Sequence, residues 1–394
     1  MLSAAARLPQ ARPGWGSVFL ASWHFWQSVI PSMLRAGLIG FPSAGKTALF
    51  QLLTNVRDAP PRGGRTEANV GVARVPDERL DRLTALFNPR KHVPATVEFA
   101  DIAGTGGGKS GAQALLDVAA FRNADALLHV VRMFRDPAVA HPAGSVDAAR
   151  DVRTMADELI LADLGVVERR LERLERDLKK GQSADLRAEQ EILARCREAL
   201  ESGRPLRALE LPPDAAKRLK GFQFLSAKPL LIVLNLDEAD LAQAGDAVRL
   251  AGLDDFLAGA ATRAVPICAR IELEIAQLDE GDRAAFMADL GLSESGLDRV
   301  IRASYDLLGY ISFFTVGEDE CRAWSIPRDT PAVLAAGEIH SDISRGFIRA
   351  EVVRYEHLLA RRTLAACREH GELRLEGKEY LVLDGDVINF RHAT

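Results

Sequence analysis

One stretch near the beginning of the chain decides the fold: Leu38-Ile39-Gly40-Phe41-Pro42-Ser43-Ala44-Gly45-Lys46-Thr47. It matches the pattern G-x-x-x-x-G-K-[S/T] at every fixed position. The apolar run before it, Ala36 to Ile39, predicts a buried strand, and the residues after it, Ala48 to Leu53, predict the first turns of a helix. A strand, a glycine-rich turn and a helix in this order predict a phosphate-binding loop with a nucleoside triphosphate as its ligand.

The residues of this loop have distinct expected roles. Gly40 and Gly45 let the backbone turn so that its N–H groups face the phosphates, and the helix N-terminus adds a favourable dipole. Lys46 is expected to bridge the β- and γ-phosphates and is a candidate catalytic residue, while the hydroxyl of Thr47 is expected to ligate Mg²⁺. The alternative is a chance glycine turn before a helix, and the strand–loop–helix context argues against it.

The composition fits a protein of two or three domains. The chain has 394 residues, of which 47% are hydrophobic and 27% charged. The formal net charge of -5 gives no basic field over the whole molecule, so no DNA specificity is expected and any RNA contact would need a local patch. The cysteines are far apart and show no C-x-x-C spacing, which favours a reducing cytosol over a disulfide framework or a zinc site.

The first 32 residues differ from the rest, because three of the four tryptophans lie between Trp15 and Trp26. The apolar run in this segment, Val18 to Ala21, is too short for a membrane span and poor as a secretory signal. The first predicted strand begins within a few residues of Met33. We therefore expect residues 1–32 to be an N-terminal extension, Met33 to be the true start, and the protein to be cytoplasmic without membrane contact.

A second nucleotide signature lies roughly 55 residues after Lys46. A strand ends there in Asp101-Ile102-Ala103-Gly104. Asp101 is expected to hold Mg²⁺ through water, and the N–H of Gly104 is expected to sense the γ-phosphate, which makes Gly104 the second candidate catalytic residue. Thr66, in the polar loop between the two motifs, is placed where a threonine of the first switch would reach Mg²⁺.

The pattern changes to long helices at Asp147. Apolar residues then step by four and three over nearly three heptads, which is typical of a coiled-coil seam. These residues are Ile160, Leu164, Val167, Leu171, Leu174 and Leu178. A polar break at residues 181–185 interrupts the seam, which resumes at Leu186. The sequence predicts an antiparallel helical hairpin, with two ordinary surface helices as the alternative.

The nucleotide-binding pattern resumes in an apolar run that ends in Asn235-Leu236-Asp237-Glu238. G-proteins place N-K-x-D here, and its aspartate binds guanine. Leu236 stands in the place of the lysine and Glu238 in that of the aspartate, so GTP is disfavoured. A further strand, Ala264 to Ile267, ends in Cys268-Ala269-Arg270, in the place of a second loop that contacts the base.

The C-terminal residues predict a separate, small module of mixed α/β structure. Its strands begin with Ile311 to Val316, and one helical stretch is predicted near Thr330 to Ala336. Tyr380 to Phe390 predicts two strands around a turn at Asp384-Gly385. The module shows no catalytic cluster.

The order of GFPSAGKT, DIAG, helical insertion, NLDE and C-terminal module resembles the Obg-like ATPases, the YchF family. The resemblance runs from about Met33 to the C-terminus. It implies an α/β fold, a P-loop NTPase of the Ras-like G-domain class with a helical coiled-coil insertion and a C-terminal α+β TGS domain. The implied boundaries are 33–145 and 226–304 for the OBG-type nucleotide-binding domain, 146–225 for the insertion and 305–394 for the TGS domain.

The resemblance also implies the ligands and the residues that bind them. ATP follows from the N-x-x-E variant, and the family implies association with the ribosome, through the large subunit or rRNA. The implied metal is Mg²⁺, held by Thr47, Thr66 and Asp101. The implied nucleotide-binding residues are Ser43, Ala44, Gly45, Lys46, Thr47, Ala48, Asn235, Leu236, Glu238, Cys268 and Ala269.

Several positions depart from the family pattern. Ser43 replaces the usual asparagine, which leaves activation by K⁺ open. Thr105 follows the DIAG motif where relatives have a hydrophobic residue, and Ala120 aligns with a histidine proposed to assist hydrolysis in relatives. We therefore expect an ATPase switch with slow turnover, below the ~1–10³ s⁻¹ of typical enzymes. An Obg-class GTPase and a non-hydrolysing, ATP-dependent ribosome- or RNA-binding adaptor are the alternatives.

Overall fold

The structure of the chain is a computed structural model that describes residues 34–55, 69–101, 121–181, 183–259 and 261–393. The predicted extension and its boundary at Met33 lie outside the described residues. The strands are β1 (Leu34–Ile39), β2 (Asn69–Arg74), β3 (Lys91–Val93), β4 (Thr96–Asp101), β5 (Ala126–Arg132), β6 (Leu230–Asn235), β7 (Thr262–Ile267), β8 (Tyr310–Thr315), β9 (Glu320–Pro327), β10 (Phe347–Arg354), β11 (Arg374–Glu376) and β12 (Asp386–His392).

The helices alternate with these strands in the first part of the chain and cluster in its middle. They are α1 (Lys46–Thr54), α2 (Glu78–Phe87), α3 (Ala148–Lys180), α4 (Ala184–Glu201), α5 (Pro213–Leu219), α6 (Ala247–Leu250), α7 (Asp254–Leu257), α8 (Ala269–Ile275), α9 (Glu280–Asp289), α10 (Gly296–Leu307), α11 (Ala332–Ile339), α12 (Ser341–Arg345), α13 (Tyr355–Arg361) and α14 (Leu364–Glu369). Short 3₁₀ helices lie at Leu206–Ala208, Lys220–Phe222 and Glu238–Asp246.

The first sheet positions the nucleotide motifs. Its strand order is β2-β4-β1-β5-β6-β7, and neighbouring strands run parallel except β2 with β4. β5 and β6 are buried along their whole length, as expected for central strands of a parallel sheet that is covered on both faces. The carboxyl ends of the parallel strands meet at one edge, where open α/β sheets bind ligands. The predicted α/β P-loop fold is confirmed.

The helical insertion leaves the first sheet after β5 and returns to it at β6. α3 is 33 residues long, and α4 follows after a short break at residue 181. Leu171 and Leu174 of α3 share an apolar core with Leu193 of α4. An ion pair between Arg170 and Glu189, with an Nε–Oε1 distance of 2.7 Å, lies beside this core. The predicted helical hairpin is confirmed, because the heptad seam is local in sequence and decides the packing.

The second sheet has the order β11-β10-β12-β8-β9-β3. Five of its six strands belong to the C-terminal module, but β3 comes from the first part of the chain and pairs in parallel with β9, so that Lys91 is the register partner of Glu320. One apolar core also crosses from α1 and α2 to this sheet and contains Phe50, Leu83 and Phe314. The C-terminal module is therefore built onto the nucleotide-binding fold.

Two predictions for the C-terminal module are wrong. The single predicted helical stretch corresponds to α11, but α12, α13 and α14 follow it, and these helices are too short to show a clear period. Of the two strands predicted around Asp384-Gly385, only β12 forms, and Leu381 makes an isolated bridge to Pro331 instead. The hydroxyl of Tyr380 and the N–H of Leu383 both donate to Asp386 at 2.7 and 2.9 Å, which curls the segment before β12.

No helix of the described ranges contains an apolar stretch long enough to cross a membrane.

Candidate nucleotide-binding site

The phosphate-binding loop connects β1 to α1. Gly40 and Gly45 have φ angles of 144° and 99°, and Ser43 has 61°, a left-handed conformation that is unusual for a serine. A Cβ on Gly40 would lie 2.4 Å from the carbonyl oxygen of Val130, and a Cβ on Gly45 would lie 2.5 Å from Nδ2 of Asn235. Glycine is required at both positions because the loop passes so close to the neighbouring strands.

Lys46 begins α1 and turns back into the loop. Its ammonium donates to the carbonyl oxygens of Gly40 and Phe41 at 3.0 and 2.9 Å. Burial lowers the pKa of Lys46, and the negative charge of Asp101 opposes that shift. The ammonium is thus held between backbone carbonyls inside the loop, where phosphate oxygens would compete for it.

Thr47 and Asp101 meet at the start of α1. The hydroxyl of Thr47 donates to Oδ2 of Asp101, at the buried end of β4, over 3.2 Å. Burial raises the pKa of Asp101, while the hydrogen bond from Thr47 and the charge of Lys46 act in the opposite direction. A hydroxyl beside a poorly solvated carboxylate is a pair of oxygen ligands of the kind that Mg²⁺ prefers, so these residues fit the predicted metal.

The structure therefore brings Lys46, Thr47 and Asp101 together, as the two sequence motifs predict. The predicted roles of Thr66 and Gly104 lie outside the described residues. The predictions that rest on Thr105 and on Ala120 lie outside them as well.

Asn235 connects the loop to the other end of the site. Its Nδ2 donates to the carbonyl oxygen of Ala44 at 3.0 Å, and its Oδ1 accepts the N–H of Ala269 at 3.1 Å. Both amide atoms are thus used within the protein, and the side chain is buried. Leu236 is also buried, and its N–H donates to Ile267. The predicted contacts of these residues with adenine stay a prediction, and the geometry shows Asn235 tying Ala44 to the start of α8.

The other residues predicted to contact the base lie near Asn235. Glu238 is exposed at the start of a 3₁₀ helix, and Asp237 accepts the N–H of Arg135 at 3.2 Å. Cys268 is buried just before α8, and burial raises the pKa of its thiol. The carboxylate of Glu238 is therefore the charged group of the motif that faces solvent, whereas Cys268 is a packed thiol.

Sequence reasoning missed the loop after β5. The N–H of Phe134 donates to the carbonyl oxygen of Asn235 at 3.1 Å, so this loop lies against the base-contact motif. The buried guanidinium of Arg132 holds the loop by donating to the carbonyl oxygens of Phe134, Asp136 and Val139 at 3.0–3.3 Å. An arginine at the end of a strand that is apolar except for His129 was the signal in the sequence.

His129 lies on β5, close to the loop. It is buried, and burial lowers its pKa to about 3, assisted by the charge of Lys46. Neither ring nitrogen has a hydrogen-bond partner among the described residues. His129 is therefore neutral at physiological pH.

Two protein-family models match the amino-acid sequence. MMR_HSR1, described as "50S ribosome-binding GTPase", matches residues 35–180, and YchF-GTPase_C, described as "Protein of unknown function (DUF933)", matches residues 310–393. The "Ribosome-binding ATPase YchF" of Bacillus subtilis (strain 168) is 43% identical over 362 residues, which cover 91% of this chain and 99% of that protein. The protein of the same name from Escherichia coli O157:H7 is 38% identical and covers 90% of this chain and 98% of its own length.

A solved structure agrees with these relatives. The "Schizosaccharomyces pombe YchF GTPase" has a TM-score of 0.79 at 30% sequence identity, over 91% of this chain and 97% of that chain. With the loop, the Asp101 motif and the N-x-x-E motif in the same order, the chain belongs to the YchF family of P-loop NTPases.

Proposed function

We propose that this protein is an ATPase that associates with the ribosome and hydrolyses ATP slowly. The observation that carries the proposal is the convergence of Lys46, Thr47 and Asp101 on one loop, in a chain that is 43% identical to a relative described as a ribosome-binding ATPase. The large subunit or rRNA is the proposed contact on the ribosome. The long helical hairpin and the C-terminal module offer extended surfaces for it.

We assign the roles of the site residues as follows. Backbone N–H groups of Ser43 to Ala48 bind the phosphates, and Lys46 leaves the carbonyls of the loop to bind phosphate oxygens. Thr47 and Asp101, with Thr66, hold Mg²⁺, which neutralises charge on the phosphates when bound. Gly104 contacts the γ-phosphate, and K⁺ dependence turns on Ser43. These assignments rest on the motifs and on the contact between Thr47 and Asp101.

We propose ATP over GTP because Leu236 and Glu238 replace the lysine and aspartate of the guanine-specific motif. The second candidate is a GTPase, because the Schizosaccharomyces pombe structure is described as a GTPase. The third candidate is an adaptor that binds ATP without hydrolysing it. Residues 33–145 and 226–304 form the proposed nucleotide-binding domain, residues 146–225 form the proposed insertion, and residues 305–394 form the proposed TGS domain. Strand β3 belongs to the first of these ranges but pairs with β9 in the second sheet.

The deciding experiment measures the dissociation constants of ATP and GTP with Mg²⁺ for the wild type and for Glu238→Asp. We expect the wild type to prefer ATP and the variant to shift the ratio toward GTP by about tenfold, the size of one changed polar contact. Leu236→Lys is unsuitable, because it would place a charge where the side chain is 3% exposed. Glu238 is exposed, so its replacement spares the fold.

The exposed neighbour Asp240 supplies the matched control, and Asp240→Asn should leave the ratio unchanged. Lys46→Ala should weaken both nucleotides. A wild type that prefers GTP would favour the second candidate. ATP binding without any phosphate release, alone or with ribosomes, would favour the adaptor.

A further inference from the structure

The loop between β5 and α3 touches the phosphate-binding loop through two rings. The imidazole of His141 lies with its centroid 6.1 Å from that of Phe41, at an interplanar angle of 47°. Phe41 is the second residue of the G-x-x-x-x-G-K-T motif, and its carbonyl oxygen accepts a hydrogen bond from Lys46 at 2.9 Å. His141 therefore packs on the residue that holds the phosphate-binding lysine.

The other side of His141 faces the base of the helical hairpin. Its Nε2 lies 2.9 Å from Oδ2 of Asp151 in α3, and the two side chains are only 3% and 2% exposed. Nδ1 of His141 accepts the N–H of Ala143 at 3.1 Å, so Nε2 is the ring nitrogen that carries a hydrogen toward Asp151. Nε2 has no hydrogen-bond partner of good geometry among the described residues, and it lies in close polar contact with the Asp151 oxygen, which an asparagine oxygen can replace. Arg150 fixes the same carboxylate at 3.0 Å.

Apolar packing joins the same two elements. Val152 and Met155, on the first turns of α3, share a buried core with Ile39, the last residue before the phosphate-binding loop. α3 has 33 residues and is about 50 Å long, so a small rotation at its base becomes a large displacement at the tip of the hairpin. The geometry thus offers a mechanical path between the loop and the hairpin.

We propose that His141 and Asp151 are positioning residues that couple the phosphate-binding loop to the helical hairpin. The inference rests on the proposed nucleotide site. Phosphate would draw Lys46 off the carbonyl of Phe41, Phe41 would then shift against His141, and the pair with Asp151 would pass that shift to α3. By reciprocity, a partner that holds the hairpin in one orientation changes the affinity for nucleotide by the same factor.

The test compares the wild type with His141→Ala, Asp151→Ala and the conservative Asp151→Asn. The readouts are the dissociation constant for Mg²⁺–ATP and the hydrogen exchange of α3 and α4, with and without saturating ATP. In the wild type, ATP should change the exchange of the hairpin. In the two alanine variants, we expect about five- to tenfold weaker ATP binding and no response of the hairpin at saturating ATP, whereas Asp151→Asn should restore most of both.

The matched control is Glu189→Gln, which breaks the ion pair with Arg170 on the same hairpin and leaves the His141 contact intact. It should behave like the wild type in both measurements. A hairpin that does not respond to ATP in the wild type overturns the proposal, even if the alanine variants fail to fold. Folded alanine variants with the ATP affinity and hairpin response of the wild type also overturn it. A wild type that binds no nucleotide would instead overturn the proposed function itself.

Discussion

At the scale of single residues, His129 shows how a buried titratable group makes the fold sensitive to acid. Its ring is enclosed on β5 with both nitrogens lacking partners in the described part of the chain, and burial lowers its pKa to about 3. In the unfolded chain a histidine has a pKa of about 6.5. Between these two pKa values the unfolded state binds a proton that the folded state does not bind. The free energy of unfolding therefore falls as the pH drops from about 6.5 toward about 3.

This difference predicts that His129→Leu makes the protein more resistant to acid. Each pH unit in that window removes about 1.4 kcal/mol from the free energy of unfolding, so between pH 7 and pH 4.5 the variant should lose about 2–3 kcal/mol less than the wild type. Urea unfolding at the two pH values measures both losses. His357→Leu, on an exposed position of α13, is the control and should lose as much as the wild type. Equal losses for all three proteins would contradict the prediction.

At the scale of elements, the sequence predicts best where the deciding contacts are local. The heptads of α3 and the strand–loop–helix around Lys46 follow from residues within a few turns of one another, and both form as predicted. Asn235 could be recognised as part of a motif, but its bonds to Ala44 and Ala269 depend on residues far apart in the chain. His141 and Phe41 are likewise distant in sequence, so no periodic pattern of residues predicts their contact.

A buried carboxylate on α3 connects the hairpin to the segment before β6. Asp163 of α3 accepts the N–H groups of Leu225 and Ser226, just before β6, at 2.9 and 2.7 Å. Asp163→Ala would leave both donors without partners in the interior, and we expect a loss of about 2–4 kcal/mol in the free energy of unfolding, measured with urea. Asp157→Ala, at an exposed position of the same helix, should change it by less than about 0.5 kcal/mol. Similar losses for both variants would show that Asp163 does not anchor the hairpin.

At the scale of the whole molecule, the C-terminal module and the nucleotide-binding fold share structure that no local pattern could predict. β3 is only three residues long and completes a sheet whose other strands begin more than two hundred residues later. The buried core runs without interruption from Leu83 on α2 to Phe314 and Val387 of the second sheet. In the chain, α2 and β3 lie between the phosphate-binding loop and the strand that ends in Asp101.

An ion pair across this boundary tests how firmly the two parts are joined. Arg79 of α2 donates to Asp384 at 2.7 Å and to Asp77 at 2.9 Å, and Asp384 also accepts the N–H of Ser312 at 2.9 Å. The guanidinium lies 5.2 Å from the centroid of the Phe314 ring. The arginine is thus oriented before it meets Asp384, which reduces the entropy lost in forming the pair.

A double-mutant cycle with Arg79→Ala and Asp384→Ala should give a coupling energy of at least about 1 kcal/mol, because Arg79 is half-buried and both partners are held by other hydrogen bonds. Arg82 and Glu78 on the same helix form the matched control, with side chains 63% and 81% exposed. Their coupling should be about 0.3–0.5 kcal/mol. Urea unfolding should show one cooperative transition, since the core is shared. Equal coupling energies, or separate unfolding transitions for the two parts, would mean that the C-terminal module and the nucleotide-binding fold are stable independently of each other.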